Sequence, residues 1–155
     1  DYRNKSIIDS KKLSQKKRIE VGQEIIVNAT SWGICEVSND KIDEINILNA
    51  SILAMHKSLD KLKVRPEFII VDGNKFKPYR NIIHECIIKG DNKFQNIAAA
   101  SILAKNYRDE LMRKLSLKYD NYSWESNFGY PTKKHRDSIK KYGVTRYHRK
   151  SFKLL

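Results

Sequence analysis

Apolar side chains recur at intervals of three and four residues in several stretches, the spacing that places them on one face of a helix. Ser14 and Thr132 precede two of these stretches and are typical N-cap residues, whereas Pro66 and Gly143 are typical of helix ends. The pattern predicts four helices, over residues 14–28, 41–62, 94–119 and 132–142.

Short apolar runs rich in β-branched residues lie between the predicted helices and are typical of strands. We expect strands over residues 30–37, 67–71 and about 84–88. Strands that alternate with helices indicate an α/β layered fold. Because neither an internal repeat nor a linker-like segment interrupts the chain, we expect a single domain over residues 1–155.

The composition adds a strong positive charge to this picture. With 31 Lys and Arg against 18 Asp and Glu, the formal net charge is +13, which favours a polyanionic partner such as nucleic acid or the ribosome. No apolar run approaches the ~20 residues of a bilayer span, so no membrane association is expected. Two cysteines and no recognisable signal peptide favour a reducing, cytoplasmic location. The alternative for the charge is a lysine-rich surface that only keeps the protein soluble.

Two aspartates stand at the carboxyl ends of predicted strands. Asp72 follows the apolar run 68–71, and Asp91 follows residues 87–90. Sheet proteins bind ligands and metals at this end of their strands, and a carboxylate there is costly to leave without a partner. The pair therefore predicts a cation site, although an isolated Asp in a turn is more commonly a plain turn residue.

The two aspartates belong to a series of short motifs along the chain. The motifs are DSKKLS at 9–14, VDG at 71–73, KGD at 89–91 and GYPT at 129–132, with His135 after it. Further blocks are IDEINILNA at 42–50, AAASILAK at 98–105 with Arg108 and Asp109 beyond it, and HRKSF at 148–152. Together these blocks resemble the ribonuclease HII family, the type 2 ribonucleases H, from Asp9 to about Leu154.

The resemblance implies a ribonuclease-H-like mixed sheet flanked by helices. It also implies hydrolysis of the RNA strand in RNA–DNA hybrids and cleavage beside ribonucleotides embedded in duplex DNA. Two metal ions, Mn²⁺ or Mg²⁺, would be held by four carboxylates, of which Asp72 and Asp91 match two. Asp109 lies mid-helix beside Arg108, where an ion pair within the helix is the better interpretation. We therefore predict that Asp72 and Asp91 are catalytic and metal-binding residues of a monomeric enzyme.

The same resemblance implies contacts with the nucleic acid outside the metal site. The residues that it assigns to substrate binding are Ser10, Lys11, Lys12, Tyr130, His135 and Arg149. The serine and lysines would meet backbone phosphates, the tyrosine would pack against the sugar next to the ribonucleotide, and the last two would extend a basic face. As alternatives, Lys11 and Lys12 are only solvated side chains, the Tyr130 ring anchors its own loop, and His135 makes a structural hydrogen bond.

The family's other two carboxylates belong to an N-terminal Asp-Glu-Ala-Gly-Arg-Gly motif, and nothing before Asp9 matches it. In the family this motif also contacts the ribose 2′-hydroxyl. We therefore expect the first strand or strands to be missing and the chain as given to be inactive or nearly so. Phe128 and Ser126 stand where the family usually has lysine and histidine, which weakens the expected grip of that loop. A non-catalytic basic module that binds nucleic acid is the alternative function.

Overall fold

A computed structural model describes residues 4–154 of the chain. The helices are α1 (Gln15–Asn28), α2 (Asn39–Asp60), α3 (Gln95–Ser116), α4 (Trp124–Asn127) and α5 (Lys133–Tyr142), and the strands are β1 (Phe68–Asp72) and β2 (Ile83–Ile87). Single turns of 3-10 helix occupy Ser10–Lys12, Gly90–Asn92 and Asp120–Tyr122. The four predicted helices and two of the three predicted strands are confirmed to within three residues at each end.

The helix ends follow from local hydrogen bonds that the sequence had indicated. Ser14 Oγ accepts a hydrogen bond from the Lys17 N–H at 3.3 Å, and Thr132 Oγ1 accepts one from the His135 N–H at 3.2 Å. Each bond satisfies one of the N–H groups that a helix start leaves without an intrahelical partner. At the other end of α5, Gly143 takes a positive φ of 78°, which glycine adopts without steric cost.

Helix α2 is kinked, whereas its apolar pattern predicted a continuous helix. Asn46 has φ 63° and ψ 166°, which is not a helical conformation. Its side-chain Oδ1 accepts a hydrogen bond from the Asn49 N–H at 3.1 Å, in the manner of an N-cap. The helix therefore stops and restarts at Asn46, because the side chain supplies the bond that the backbone loses.

Strands β1 and β2 pair in parallel, with Phe68 opposite Ile83 and Asp72 opposite Ile87. Ile69 and Val71 of β1 are buried together with Tyr79 and Ile82, and side chains of α2 pack against this cluster. The α/β class is thereby confirmed, with helices against a small parallel sheet. None of the helices in residues 4–154 is long and apolar enough to cross a bilayer.

The predicted strand over residues 30–37 is wrong, because residues 31–38 of the described chain pair with no strand. Residues that follow α2 form hydrogen bonds with polar groups of this segment instead. Lys61 Nζ donates to the Ile34 carbonyl at 2.7 Å, and the Lys63 N–H donates to Ser31 Oγ at 2.8 Å. A Cβ added at Gly33 would lie 2.4 Å from the Ser58 carbonyl oxygen, so glycine permits this close approach. An apolar, β-branched run becomes a strand only where a neighbouring strand is available to pair with it.

The described residues form two compact units. The first comprises residues 4–36 and 52–106, and its buried core includes Val21 and Ile102 in one cluster and the β1 residues in another. The second comprises residues 37–51 and 107–154, and its core is formed by Met112, Tyr122, Trp124 and Ile139. The expectation of a single domain stays a prediction.

Candidate functional site

Asp72 is the last residue of β1, and its carboxylate contacts the segment that follows β2. Its Oδ1 accepts a hydrogen bond from the backbone N–H of Gly90 at 2.8 Å. Gly73, the next residue, donates its N–H to the Ile87 carbonyl at 2.9 Å. The carboxyl ends of the two strands therefore meet at one edge of the sheet, which is where α/β proteins place their ligands.

Asp91 lies in the 3-10 turn that begins at Gly90, the residue that Asp72 binds. Its side chain is only 10% exposed, and its Oδ1 accepts a hydrogen bond from Asn92 Nδ2 at 3.0 Å. The hydrogen bond to Gly90 thus joins Asp72 to the backbone immediately before Asp91. The structure therefore places the Asp72 carboxylate against the residue that precedes Asp91, the second aspartate predicted at a strand end.

Gly90 allows this close approach. A Cβ added at Gly90 would lie 2.5 Å from Ile97 Cδ1 and 3.5 Å from Asp72 Oδ1. Lys89, directly before it, has the left-handed conformation with φ 55° and ψ 43°. The Lys-Gly-Asp motif therefore produces a tight turn whose small residue lets the carboxylate of Asp72 reach the backbone.

The predicted phosphate-binding residues of the first motif lie next to this acidic pair. Lys11 Nζ is 4.0 Å from Asp91 Oδ2, and its side chain is 84% exposed. Lys12 Nζ donates to Asn92 Oδ1 at 2.7 Å. Ser10 is 8% exposed, so most of its surface is covered by the protein. The two lysines therefore stand where a phosphate near the carboxylates would meet positive charge.

Asp72 and Asp91 have the donor chemistry that a hard divalent cation requires. Carboxylate oxygens suit Mg²⁺ and Mn²⁺, which retain several waters and are commonly held by one or two protein carboxylates together with substrate phosphate. Among residues 4–154 there is no group of three or more His, Cys, Asp or Glu side chains that could hold a metal. The described chain therefore offers an acidic pair, which fits a metal with open positions for water and substrate.

Tyr130 projects from a tight turn in the second unit and is 57% exposed. Phe128 and Gly129 before it both have positive φ, 50° and 78°. The Asn127 side chain holds the turn from within, since its Oδ1 accepts from the Gly129 N–H at 2.8 Å and its Nδ2 donates to the Tyr122 carbonyl at 2.7 Å. The backbone of this loop is well fixed while the tyrosine ring remains accessible to a ligand.

His135 differs from its predicted role as a phosphate contact. It is 5% exposed, and both of its ring nitrogens lie within hydrogen-bonding distance of protein groups. Nδ1 is 3.0 Å from the Tyr130 carbonyl oxygen, and Nε2 accepts from Trp124 Nε1 at 3.4 Å. A buried ring with both nitrogens engaged presents no donor to a phosphate at the surface, so the structural hydrogen bond is the interpretation that the geometry favours.

Arg149 lies in a C-terminal segment that Asp43 anchors. The Asp43 carboxylate accepts hydrogen bonds from the Lys150 N–H at 2.8 Å and the Ser151 N–H at 3.0 Å, and hydrogen bonds from Ser151 lower the pKa of Asp43. Partial burial and the neighbouring charge of Arg108 lower the pKa of Arg149, an effect that Asp43 opposes. Two guanidinium groups held near each other repel, and a bound anion would relieve that repulsion.

Three residues that shape these sites were given no individual role from the sequence. They are Asp9, which accepts a hydrogen bond from the Lys11 N–H at 2.9 Å, Asn92, which binds Lys12, and Asp43. Asp before Ser at the start of a turn is a capping pattern, so Asp9 carried a readable signal. The contacts of Asn92 and Asp43 join residues far apart in the sequence, and only the fold reveals them.

An α/β fold with one carboxylate at the end of β1 and a second in the turn that follows β2, beside exposed lysines, defines a candidate metal-dependent domain for a polyanionic substrate. The family model described as Ribonuclease HII matches residues 2–155. The chain therefore belongs to the ribonuclease HII family. This family cleaves the RNA strand of RNA–DNA hybrids and ribonucleotides in DNA, and in general it depends on a divalent metal.

Relatives agree with this assignment, and solved structures agree with the fold. The chain is 59% identical over 155 residues to the ribonuclease HII of Christiangramia forsetii and 52% identical to that of Parabacteroides distasonis, covering all of this chain and 78% of each relative. The crystal structure of ribonuclease H2 from Pyrococcus horikoshii matches with a TM-score of 0.79 at 24% identity, over 96% of this chain and 77% of that one. The PCNA:RNase HII complex from Archaeoglobus fulgidus matches with a TM-score of 0.73 at 26% identity, over 96% and 79%.

Proposed function

We propose that Asp72 and Asp91 supply two carboxylate ligands of a divalent-metal site. This site lies beside the scissile phosphate of the bound substrate and hydrolyses the RNA strand there. The observation that carries this proposal is the 2.8 Å hydrogen bond from the Gly90 N–H to Asp72, which joins Asp72 to the residue directly before Asp91. We propose Mn²⁺ or Mg²⁺ as the metal because the ligand atoms are oxygens. When bound, such a metal lowers the pKa of a water and stabilises charge on the leaving 3′ oxygen.

The substrate that we propose is an RNA–DNA hybrid or a DNA duplex with an embedded ribonucleotide. Lys11 and Lys12 hold a backbone phosphate close to the acidic pair, and Arg149 holds a second phosphate together with Arg108. The exposed ring of Tyr130 packs against a nucleotide sugar and base, a contact that tolerates any base sequence. Such contacts position the duplex without reading its sequence, as a nuclease of broad sequence range requires.

A non-catalytic binding module is the second candidate, and one observation favours it. Residues 4–154 provide a pair of aspartates and no group of three or more possible metal ligands. A chain that holds its metal weakly would retain the basic surface and bind duplexes without cutting them. Both candidates predict binding that weakens as salt rises, because phosphate contacts release counterions. They differ only in their dependence on metal.

The deciding experiment is a nicking assay on a labelled duplex that contains one ribonucleotide. With Mn²⁺ or Mg²⁺ added separately, an enzyme produces a single nick at the ribonucleotide, and the better metal identifies the cofactor. Asp72→Asn and Asp91→Asn should both abolish the nick while a gel shift of the duplex in chelator is retained. Intact substrate with a retained gel shift in the unaltered chain would establish the binding module instead. Cleavage that survives both substitutions would refute the metal site. The cytoplasmic location and the monomeric state stay predictions.

A further inference from the structure

His135 and His148 form a buried pair in the core of the second unit. Each is 5% exposed, and their Nε2 atoms are 3.2 Å apart. The rings of Tyr122 and Trp124 surround them, with Tyr122 at 5.2 Å and Trp124 at 5.4 Å from the His148 ring centroid. Two imidazoles at this distance share one hydrogen, so one ring donates and the other accepts.

The partners of His135 assign its hydrogen. The carbonyl oxygen of Tyr130 can only accept, so Nδ1 of His135 carries the hydrogen and donates across 3.0 Å. The indole N–H of Trp124 can only donate, so Nε2 of His135 is the accepting nitrogen, at 3.4 Å. The hydrogen between the two histidines must therefore come from His148.

The partners of His148 agree with this assignment independently. The backbone N–H of Thr145 donates to Nδ1 of His148 at 2.9 Å, and Thr145 Oγ1 lies 3.0 Å from the same atom. Nδ1 therefore accepts, and Nε2 carries the hydrogen that it donates to His135. In this arrangement each ring carries one hydrogen, and the single lone pair of His135 Nε2 is shared between the N–H groups of His148 and Trp124.

A proton added to His148 breaks this chain of bonds, because on Nδ1 it would oppose the backbone N–H of Thr145. Burial, followed by the effect of His135, lowers the pKa of His148. The unfolded chain therefore binds the proton more readily, and the stability due to the neutral ring is lost as pH falls below about 6.5.

Within residues 4–154, the aromatic rings that contact both histidines are those of Tyr122 and Trp124. Tyr122 is the titratable neighbour from the 120–122 turn, and burial raises its pKa, so that its hydroxyl stays protonated. Tyr122 and Trp124 belong to a hydrophobic cluster with Met112 of α3 and Ile139 of α5, against which the titratable Tyr119 and Tyr147 also pack. Asn39 of α2 donates its amide to the backbone carbonyl of His148 and is itself neutral.

We propose that the neutral His135–His148 pair is a positioning device for Tyr130, holding the main chain of that residue so that its exposed ring meets the nucleotide. The proposal rests on the proposed function, since it assigns Tyr130 a role in binding. Neither histidine touches the substrate. Their effect passes through the hydrogen bond from His135 to the Tyr130 carbonyl, which also accepts the Thr132 N–H at 2.8 Å.

The test is a double-mutant cycle on binding of the full chain to a fluorescent duplex with one ribonucleotide, in chelator so that nothing is cut. Tyr130→Ala should weaken binding about tenfold, the loss of one stacked contact. His135→Ala should cause most of that loss alone, and Tyr130→Ala should then add little to it. His135→Asn should restore binding, because the asparagine amide can donate to the Tyr130 carbonyl from the same position. His56→Ala is the matched control, since His56 also contacts a backbone carbonyl, that of Lys77 at 3.0 Å, in the other unit.

The pH dependence of binding distinguishes the positioning role from a purely structural one. A histidine that only stabilises the fold would not change the loss of binding caused by Tyr130→Ala. The fold-loss caused by Tyr130→Ala should shrink in the unaltered chain once pH falls below the lowered pKa of His148, yet stay constant in a His135→Asn, His148→Asn background, which contains neither ring. Long-range nitrogen–proton NMR spectra of the histidine rings at neutral pH should show hydrogen on Nδ1 of His135 and on Nε2 of His148.

The outcomes separate this proposal from the proposed function. If the unaltered chain does not bind the duplex, the proposed function fails and the positioning role fails with it. If the chain binds but the losses from His135→Ala and Tyr130→Ala multiply independently, only the positioning role is overturned. The opposite tautomers in the NMR spectra would overturn it as well. If His135→Ala fails to fold, the cycle is run with His135→Asn and His148→Asn, of which the second removes the shared hydrogen.

Discussion

The carboxylate of Asp72 has two separable roles, and a pair of substitutions distinguishes them. Its Oδ1 accepts the hydrogen bond from the Gly90 N–H, and its charge is proposed to bind metal. Asp72→Asn keeps an oxygen at the Oδ1 position and removes the charge. Asp72→Ala removes both. We therefore expect the two variants to lose metal binding equally and to differ in the stability of the metal-free fold.

The size of that difference follows from the surroundings of the bond. A buried donor that loses its partner costs about 1–3 kcal/mol. Gly90 is buried whereas Asp72 is exposed, so water can replace part of the lost bond, and the lower value of about 1 kcal/mol applies. For a chain of this length that corresponds to a fall of about 2–4 °C in Tm. Asp72→Asn should melt no lower than the unaltered chain, because it also removes repulsion with Asp91.

The assay is a thermal melt of the three proteins in chelator and again in Mn²⁺. Metal at about ten times its Kd adds about 1.4 kcal/mol to the unaltered chain, and neither variant should gain this. Equal melting temperatures of the two variants in chelator would refute the structural role of the Gly90 bond. An undiminished shift with Mn²⁺ in Asp72→Asn would refute the assignment of Asp72 as a ligand.

Three further substitutions test other features of the structure. Lys11→Gln should reduce the slope of log affinity against log salt by about one, measured by duplex titration at several salt concentrations, because one phosphate contact is lost. The pKa of Asp43 is lowered by hydrogen bonds from Ser151, so its carboxylate stabilises the fold above its ordinary pKa. This stabilisation is lost as pH falls through the lowered pKa. Urea melts of Asp43→Asn should therefore lack that acid-dependent loss of stability. Gly129→Ala should cost about 1–2 kcal/mol in urea melts, because φ is 78° at Gly129 and an added Cβ would lie 3.2 Å from Met112 Cε and 3.3 Å from Arg108 Nη2. A loss no larger than about 0.5 kcal/mol, the usual effect of a surface substitution, would contradict this reasoning.

The helices show which structural features the local sequence pattern predicts and which it does not. Ser14 and Thr132 were predicted as caps and act as caps, because a cap bond joins residues three positions apart and needs no other part of the fold. The kink at Asn46 was missed, since the apolar spacing on both sides of it continues without a break. The segment 30–37 has the composition of a strand, but the side chain of Lys61 binds its backbone where the prediction required a pairing strand.

The residues of the candidate site also divide into those that the sequence predicted and those that only the fold revealed. Asp72 and Asp91 could be found from their positions after apolar runs, and Lys11 and Lys12 from their motif. The resemblance implied a surface role in substrate binding for His135, yet its side chain is buried beside the aromatic core. The contacts of Asp43 with residues 150–151 span more than one hundred positions and have no local signature.

The order of residues along the chain thus established the family, the helices, the two paired strands and the acidic residues at their ends. These features depend on spacing, capping and turn chemistry, which act between near neighbours. The hydrogen bond of Asp72 to the turn before Asp91, the burial of the His135–His148 pair and the anchoring of Arg149 depended on the folded chain. Each of them requires groups distant in sequence to approach within about 3 Å, the length of a hydrogen bond, and such proximity is a property of packing in three dimensions.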